Sequence, residues 1–161
     1  MSDNPNSKVY VTKARLKEIE EELRNLKVHA RKEIAGKIAE ARAQGDLSEN
    51  AEYDAAREEQ GLLELRINKM ETMLSKTAII DETDIDVSKV NIMTKVKVLN
   101  DKTKRENVYQ VVSQEEADFE GGKISMSSPI GKALMGHAVG DSVQVKVPAG
   151  ILNLKILEIT R

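Results

Sequence analysis

The sequence predicts an α+β protein in two parts: an antiparallel α-helical coiled-coil hairpin over residues 1–77, then a small, mainly antiparallel sheet domain with one short helix over 78–161. Three observations carry this reading. Apolar residues recur at steps of three and four through the first half. The run Gly45-Asp46-Leu47-Ser48-Glu49-Asn50-Ala51-Glu52-Tyr53 breaks that pattern once. Beyond Leu74 the apolar period moves to two, as in strands.

The first arm reads from about Thr12 to Ala43, with Leu16, Ile19, Leu23, Leu26, Ala30, Ile34, Ile38 and Ala41 forming one apolar seam. The steps from Leu26 to Ile38 are all fours, a slip of the heptad that predicts local unwinding and looser pairing toward the turn. The second arm, about Ala51 to Leu74, carries Ala56, Leu63, Ile67, Met70 and Leu74, and Gly61 alone disturbs its good helix formers. A short connection makes such helices antiparallel neighbours. At 1.5 Å per residue the first arm would be about 45 Å long, more than a small core can cover, so the hairpin is expected to project.

Ala78-Ile79-Ile80 is a short apolar run, and the acidic stretch Asp81 to Asp86 reads as a linker or loop. Candidate strands follow at Val90–Leu99, Val108–Val112, Lys123–Met126, Ser142–Val147 and Ile151–Ile159. Ser128-Pro129 before Ile130–Met135 is a helix start, with Ser as N-cap, Pro at the first helical position and Gly136 as terminator. Pro148-Ala149-Gly150 joins the last two strands as a hairpin turn.

Composition narrows the function classes. A formal net charge of −2 over 161 residues opposes bulk electrostatic adhesion to nucleic acid, so any such contact must be local. Cysteine is absent, which removes disulfides, thiolate nucleophiles and Cys-ligated zinc, and fits a reducing compartment. The start lacks an apolar targeting segment, and no run approaches the roughly 20 apolar residues of a membrane span. A cytoplasmic protein with no membrane partner is expected. Tyr10, Tyr53, Tyr109 and Phe119 are the only aromatics, too few for the stacking platforms that bind single-stranded nucleic acid.

At the turn, Asp46-x-x-Glu49 has the spacing of a capping box, with Asp46 as N-cap, Glu49 reaching back from the third helical position and Gly45 closing the first arm. From the residues alone, capping is the favoured reading over metal chemistry. Asn50 and Tyr53 either order the tip, Tyr53 by packing on Ala43 or Leu47, or touch a partner. Arg24, Lys27, Arg31 and Arg42 fall within an arc of roughly 60° beside the seam. That stripe either guides nucleic acid or pairs with Glu59, Glu64 and Glu71 on the other arm. His29 and His137 lack matching ligands and are assigned no role.

The two arms, the run from Gly45 to Tyr53, Ala117-Asp118-Phe119, Ser128-Pro129-Ile130 and Gly140-Asp141 together resemble the bacterial GreA/GreB-type transcript cleavage factors over nearly the whole chain. Ser48 stands where many GreA-type proteins have Lys and GreB-type proteins often have Ser; the modest charge around the tip favours the GreA type. The resemblance implies that the hairpin enters the secondary channel of bacterial RNA polymerase and that an FKBP-like C-terminal domain docks at the channel rim. It implies that Asp46 and Glu49 form the tip's acidic pair and help hold Mg²⁺ shared with the polymerase. Arg42, Asn50, Tyr53 and Arg57 become candidates for contact with the nascent RNA 3′ end or the polymerase, and Ser128 and Pro129 for docking. Capping and metal binding by Asp46 and Glu49 remain compatible with each other.

Magnesium takes near-octahedral oxygen coordination, commonly with only one or two protein carboxylates, and two exposed carboxylates cannot hold it tightly alone. A cofactor shared with a partner is therefore expected, with no small-molecule substrate and no turnover by this chain itself. Two other readings belong to different classes. A prolyl isomerase needs an apolar pocket walled by aromatics, for which only Tyr109 and Phe119 are at hand. A non-catalytic hairpin adaptor or channel-binding inhibitor would use the tip only to occupy the site.

Overall fold

The computed structural model describes residues 8–46 and 50–161, which form two compact units: 14–75, and 8–13 together with 76–161.

In the first unit, α1 (Lys13–Asn25), a π-helical turn (Leu26–Ala30) and α2 (Arg31–Ala43) make one continuous arm, and α3 (Ala51–Ser75) makes the other. Leu23, Ile34, Ile38, Ala56, Leu63 and Ile67 are buried between the arms, with Leu26, Ala30, Tyr53, Met70 and Leu74 packed against them. Apart from Tyr53, all of these belong to the expected seam. The slip after Leu26 takes a different form from the one expected. In a straight α-helix a residue four positions on overshoots a full turn by about 40°, so repeated fours walk the seam off its face. Here the Arg31 N–H donates to the Leu26 carbonyl five residues back, and the wider turn absorbs the extra residue. The seam returns to phase within the helix itself. Pairing does not loosen beyond it: Ile34, Ile38 and Ala41 all stay buried.

Ion pairs flank this seam from arm to arm. Arg31 grips Glu64 with both nitrogens of its fork, Nε to Oε1 and Nη2 to Oε2, each at 2.9 Å. Lys37 Nζ meets Glu59 at 2.9 and 3.1 Å, and Lys27–Glu71 and Arg66–Glu22 are paired as well. The Arg31 hydrogen bond holds the Glu64 carboxyl below the usual range. These pairs are exposed, so each adds little stability; they mark the antiparallel register.

In the second unit, β1 (Val9–Val11) pairs in parallel with β2 (Thr77–Ile79), and the Tyr10 N–H donates to Ser113 Oγ at 3.0 Å. The sequence expectation assigned 1–77 to the hairpin; this pairing instead gathers residues 8–13 with the sheet unit, because Val9 and Val11 find their partners at 77–79 and are buried there. A five-stranded sheet follows in the order β5-β4-β3-β7-β6, from β3 (Lys95–Asn100), β4 (Glu106–Val112), β5 (Lys123–Ser125), β6 (Ser142–Val147) and β7 (Gly150–Thr160). All its pairs are antiparallel except β4 with β5. The alternating residues Val96, Val98, Val111, Val143, Val145, Leu154 and Ile156 point to one core with Leu134 of α4 (Pro129–Leu134). A register shift between β3 and β7 at Lys97/Val98 resets the alternation, so that Ile159 is buried after Ile156.

The predicted strand at Val90–Leu99 begins later than expected. Residues 90–94 form a turn in which Met93 adopts φ 69° and Thr94 Oγ1 donates to the Asn91 carbonyl at 2.6 Å. Among the described residues no helix is long and apolar enough to cross a membrane.

Candidate functional site

The tip of the hairpin is built from the ends of two helices. The last four carbonyls of α2 and the first four N–H groups of α3 have no partner within their own helices. Gln44 N–H bonds the Ala41 carbonyl at 3.3 Å and Gly45 N–H the Arg42 carbonyl at 3.4 Å, with Gly45 at φ 118°, a conformation that ends the arm at the expected residue. Asp46 follows and is exposed. Leu47, Ser48 and Glu49 lie outside the described residues, so of the expected acidic pair only Asp46 is placed.

The second arm starts on Asn50, and the capping box expected of Asp46 and Glu49 falls in part outside the described residues. Asn50 is the N-cap: its Oδ1 accepts from the Tyr53 N–H at 3.1 Å, and its own carbonyl accepts the first helical bond, from the Asp54 N–H, at 3.2 Å. Asn caps as well as Asp does, and it brings a donor that Asp lacks. Its Nδ2 reaches across to the Ala41 carbonyl at 2.6 Å. Asp46 stands four residues ahead of that cap.

Tyr53, half-buried, packs on the hairpin core, and the Arg42 guanidinium lies 5.9 Å above its ring. The structure thus brings Arg42, Asn50 and Tyr53 together at the tip. Arg57, one turn further along α3, donates to Gln60 Oε1 at 2.8 Å. Of the basic stripe, Lys27 and Arg31 are paired across the arms with Glu71 and Glu64, while Glu59 pairs with Lys37 rather than with a stripe residue. Arg42 is directed to Tyr53 instead.

A carboxylate is the right donor for a hard divalent cation, but one exposed carboxylate does not make a chelating set. Among the described residues no group of three or more His, Asp or Glu is placed to hold a metal ion. Asp46 is chemically suited to Mg²⁺ only as one ligand among others.

In the sheet unit, Ser128 is the N-cap of α4, accepting from the Gly131 N–H at 3.1 Å and donating to the Ser125 carbonyl at 2.7 Å, with Pro129 at the first helical position. Sequence reasoning found both residues but missed what fixes them. A Cβ on Gly131 would lie 2.0 Å from the Ser125 carbonyl oxygen, so glycine is what lets α4 rest on β5. Ser125 Oγ lies 2.7 Å from Ser127 Oγ and accepts from the Ser127 N–H, which ties the loop before Pro129 to the strand. Tyr109 and Phe119 stack on each other with ring centroids 6.4 Å apart, and Phe119 is 68% exposed, so the two rings do not wall an enclosed pocket of the kind an isomerase needs. His137 Nδ1 lies 3.2 Å from Asp141 Oδ2, a turn contact that assembles no ligand set.

Comparison with known proteins covers both units. The family model described as transcription elongation factor, N-terminal, matches residues 9–79, and the model for the C-terminal part of GreA/GreB transcription elongation factors matches 85–161. The chain is 51% identical over 152 residues to transcription elongation factor GreA of Flavobacterium psychrophilum, covering 94% of this chain and 96% of that one. It is 52% identical over 153 residues to GreA of Thermoanaerobacter pseudethanolicus, covering 95% and 98%. Among solved structures, GreA factor homolog 1 (Gfh1) of Thermus thermophilus aligns over 96% of this chain and 99% of its own at 28% identity, with a TM-score of 0.45.

Proposed function

The chain belongs to the GreA/GreB family of transcription elongation factors, and from that premise we propose that its hairpin enters the secondary channel of bacterial RNA polymerase and stimulates endonucleolytic cleavage of the 3′ end of backtracked nascent RNA. The observation that carries this reading is an exposed carboxylate at the tip. Asp46 lies on the connection between two long arms, ahead of the Asn50 that caps α3.

In this reading Asp46 and Glu49 contribute carboxylate oxygens at the polymerase active centre, and Glu49 also orients the attacking water. Mg²⁺, when held jointly with the polymerase and the RNA phosphate, supplies activation of that water and stabilisation of the leaving oxygen. Water adds at phosphorus, the 3′ oxygen of the retained strand leaves as a hydroxyl, and the phosphate stays with the released fragment. Arg42 and Arg57 sit where cations can meet the extruded RNA or the channel wall. Ser128 and Pro129, held against β5, provide docking at the rim. The chain completes another enzyme's site and has no turnover of its own, in the cytoplasm where that enzyme works.

The test is transcript length in halted, backtracked elongation complexes given the purified chain. Shortened RNA supports the proposal. Unchanged RNA with retained polymerase binding would make the chain a channel-occupying inhibitor or adaptor instead.

A further inference from the structure

We propose that Asn50 is the positioning residue of the tip, a clamp that joins the end of one arm to the start of the other and thereby fixes the two ends of the segment that carries Asp46. This rests on the cleavage reading above and adds to it the residue that aims the Asp46 carboxylate.

The geometry is specific to the carboxamide. Oδ1 accepts from the Tyr53 N–H at 3.1 Å, which satisfies an orphan donor of α3, and Nδ2 donates at 2.6 Å to the Ala41 carbonyl, which lies at the end of α2 and also accepts from the Gln44 N–H. One planar group closes both helix ends. Aspartate would keep the first bond and lose the second, because an ionised carboxylate only accepts. Serine would keep a capping oxygen but is too short and has no second donor.

The surroundings support a rigid joint. Ala41 and Ala56 are buried in the two arms, and the Arg42 guanidinium, 5.9 Å from the Tyr53 ring centroid, links the same two helix ends a second time. Asp46 lies between the held Gly45 N–H and the clamp, so its reach and direction depend on both. A plain N-cap would need no bond to the opposite arm. The bond to Ala41 is what points to positioning.

Catalysis by placed charge is sensitive to small displacements, on the order of a hundredfold for about 1 Å. The test uses the full chain as wild type, Asn50→Asp and Asn50→Ser, and has two readouts. In the free protein, hydrogen exchange is followed along the hairpin. Both variants are expected to melt close to wild type, since each retains a capping oxygen, yet to exchange faster at Gln44 and Gly45, where the end of α2 is no longer tied to the other arm, while the amides of 60–70 stay as protected as before. In halted elongation complexes, the maximal cleavage rate is expected to fall by tenfold or more, with the factor concentration for half-maximal stimulation unchanged, because docking lies in the other unit.

Wild-type exchange at the tip in Asn50→Ser would overturn the clamp. Faster exchange with a wild-type maximal rate would overturn the positioning role. A raised half-maximal concentration at an unchanged maximal rate would overturn it too, by making Asn50 a contact to polymerase. A wild-type chain that shortens no RNA would sink the underlying functional reading, and the exchange data would separate that failure from failure of the clamp.

Discussion

Gly131→Ala should dislodge α4 and, with it, the loop proposed to dock on polymerase. The added Cβ would lie 2.0 Å from the Ser125 carbonyl oxygen and 3.0 Å from its carbon. Reaching ordinary contact at 3.4 Å requires about 1.4 Å of movement, and the obstacle is backbone of β5, which is paired with β4 and cannot swing aside. The helix must therefore move. That pulls at the Ser128 bonds to Ser125 and Gly131, at 2.7 and 3.1 Å, and at Leu134, which is wholly buried in the sheet core. Overpacking of this kind costs about 1–3 kcal/mol and a lost cap about 1 kcal/mol, so roughly 2–4 kcal/mol is expected. For a unit of this size that lowers the melting temperature by roughly 10 °C or more. Calorimetry is the right assay, because two units can melt separately: the sheet transition should fall while the hairpin transition stays. At a temperature where the variant is folded, half-maximal stimulation of cleavage should need more factor, with the maximal rate retained. A sheet transition within about 2 °C of wild type would refute the close-approach argument.

Further outcomes follow from the hairpin. Asp46→Asn and Glu49→Gln should melt near wild type, because Asn50 caps α3 and Asn and Gln serve in a cap or capping box about as well as Asp and Glu, and should bind polymerase yet lose most cleavage stimulation, with partial rescue at raised Mg²⁺; wild-type cleavage from both would show that these residues only shape the turn. Deleting Val28, exposed in the π turn, should turn the first arm into an unbroken α-helix with the same seam, read by NMR from i→i+4 bonds across 26–31 and by retained hairpin stability; a large loss of stability would contradict the phase argument. The hairpin should also lose a contribution from Glu64 in acid. The Arg31 bond lowers the folded pKa below its ordinary 4.5, so the contribution is complete above that value and disappears as pH falls through the lower folded value. Melting of wild type and Glu64→Gln should therefore converge at the acid end; a constant gap down through that range would count against the pair.

Legibility tracked how local each cause was. The arms were readable because burial repeats every turn, and Ile34, Ile38, Leu63 and Ile67 lie where their spacing puts them. The slip at Leu26 was readable too, but whether the supercoil or the helix absorbs it depends on packing against the other arm. β1 left only three residues of signal, and its partner strand lies at 77–79, far along the chain. Asn50 was not read as the cap of α3, since Asp46 and Asn50 are equal by propensity. What marks Asn50 is the Ala41 carbonyl, an acceptor that only the folded hairpin brings within reach of Nδ2. Likewise nothing in the sequence marks Gly131, whose constraint comes from the Ser125 carbonyl of β5 lying under it.

The proposed chemistry has a physical reason to be divided between two proteins. A tip that satisfied most of the coordination of Mg²⁺ by itself would hold the ion in free solution and would present activated water to any RNA that met it. A tip with one or two exposed carboxylates cannot do this, because the remaining ligands must come from elsewhere. Binding then becomes strong only where a second set of carboxylates and a phosphate are already fixed in place, and cleavage is confined to RNA held in that geometry. This arrangement puts unusual weight on aim. With so few ligands of its own, the tip cannot search for the ion by flexing without losing effective concentration. A joint that ties both helix ends through a single side chain is the kind of support such a site requires, which is why the bond from Asn50 to Ala41 matters more than its modest energy as a hydrogen bond would suggest.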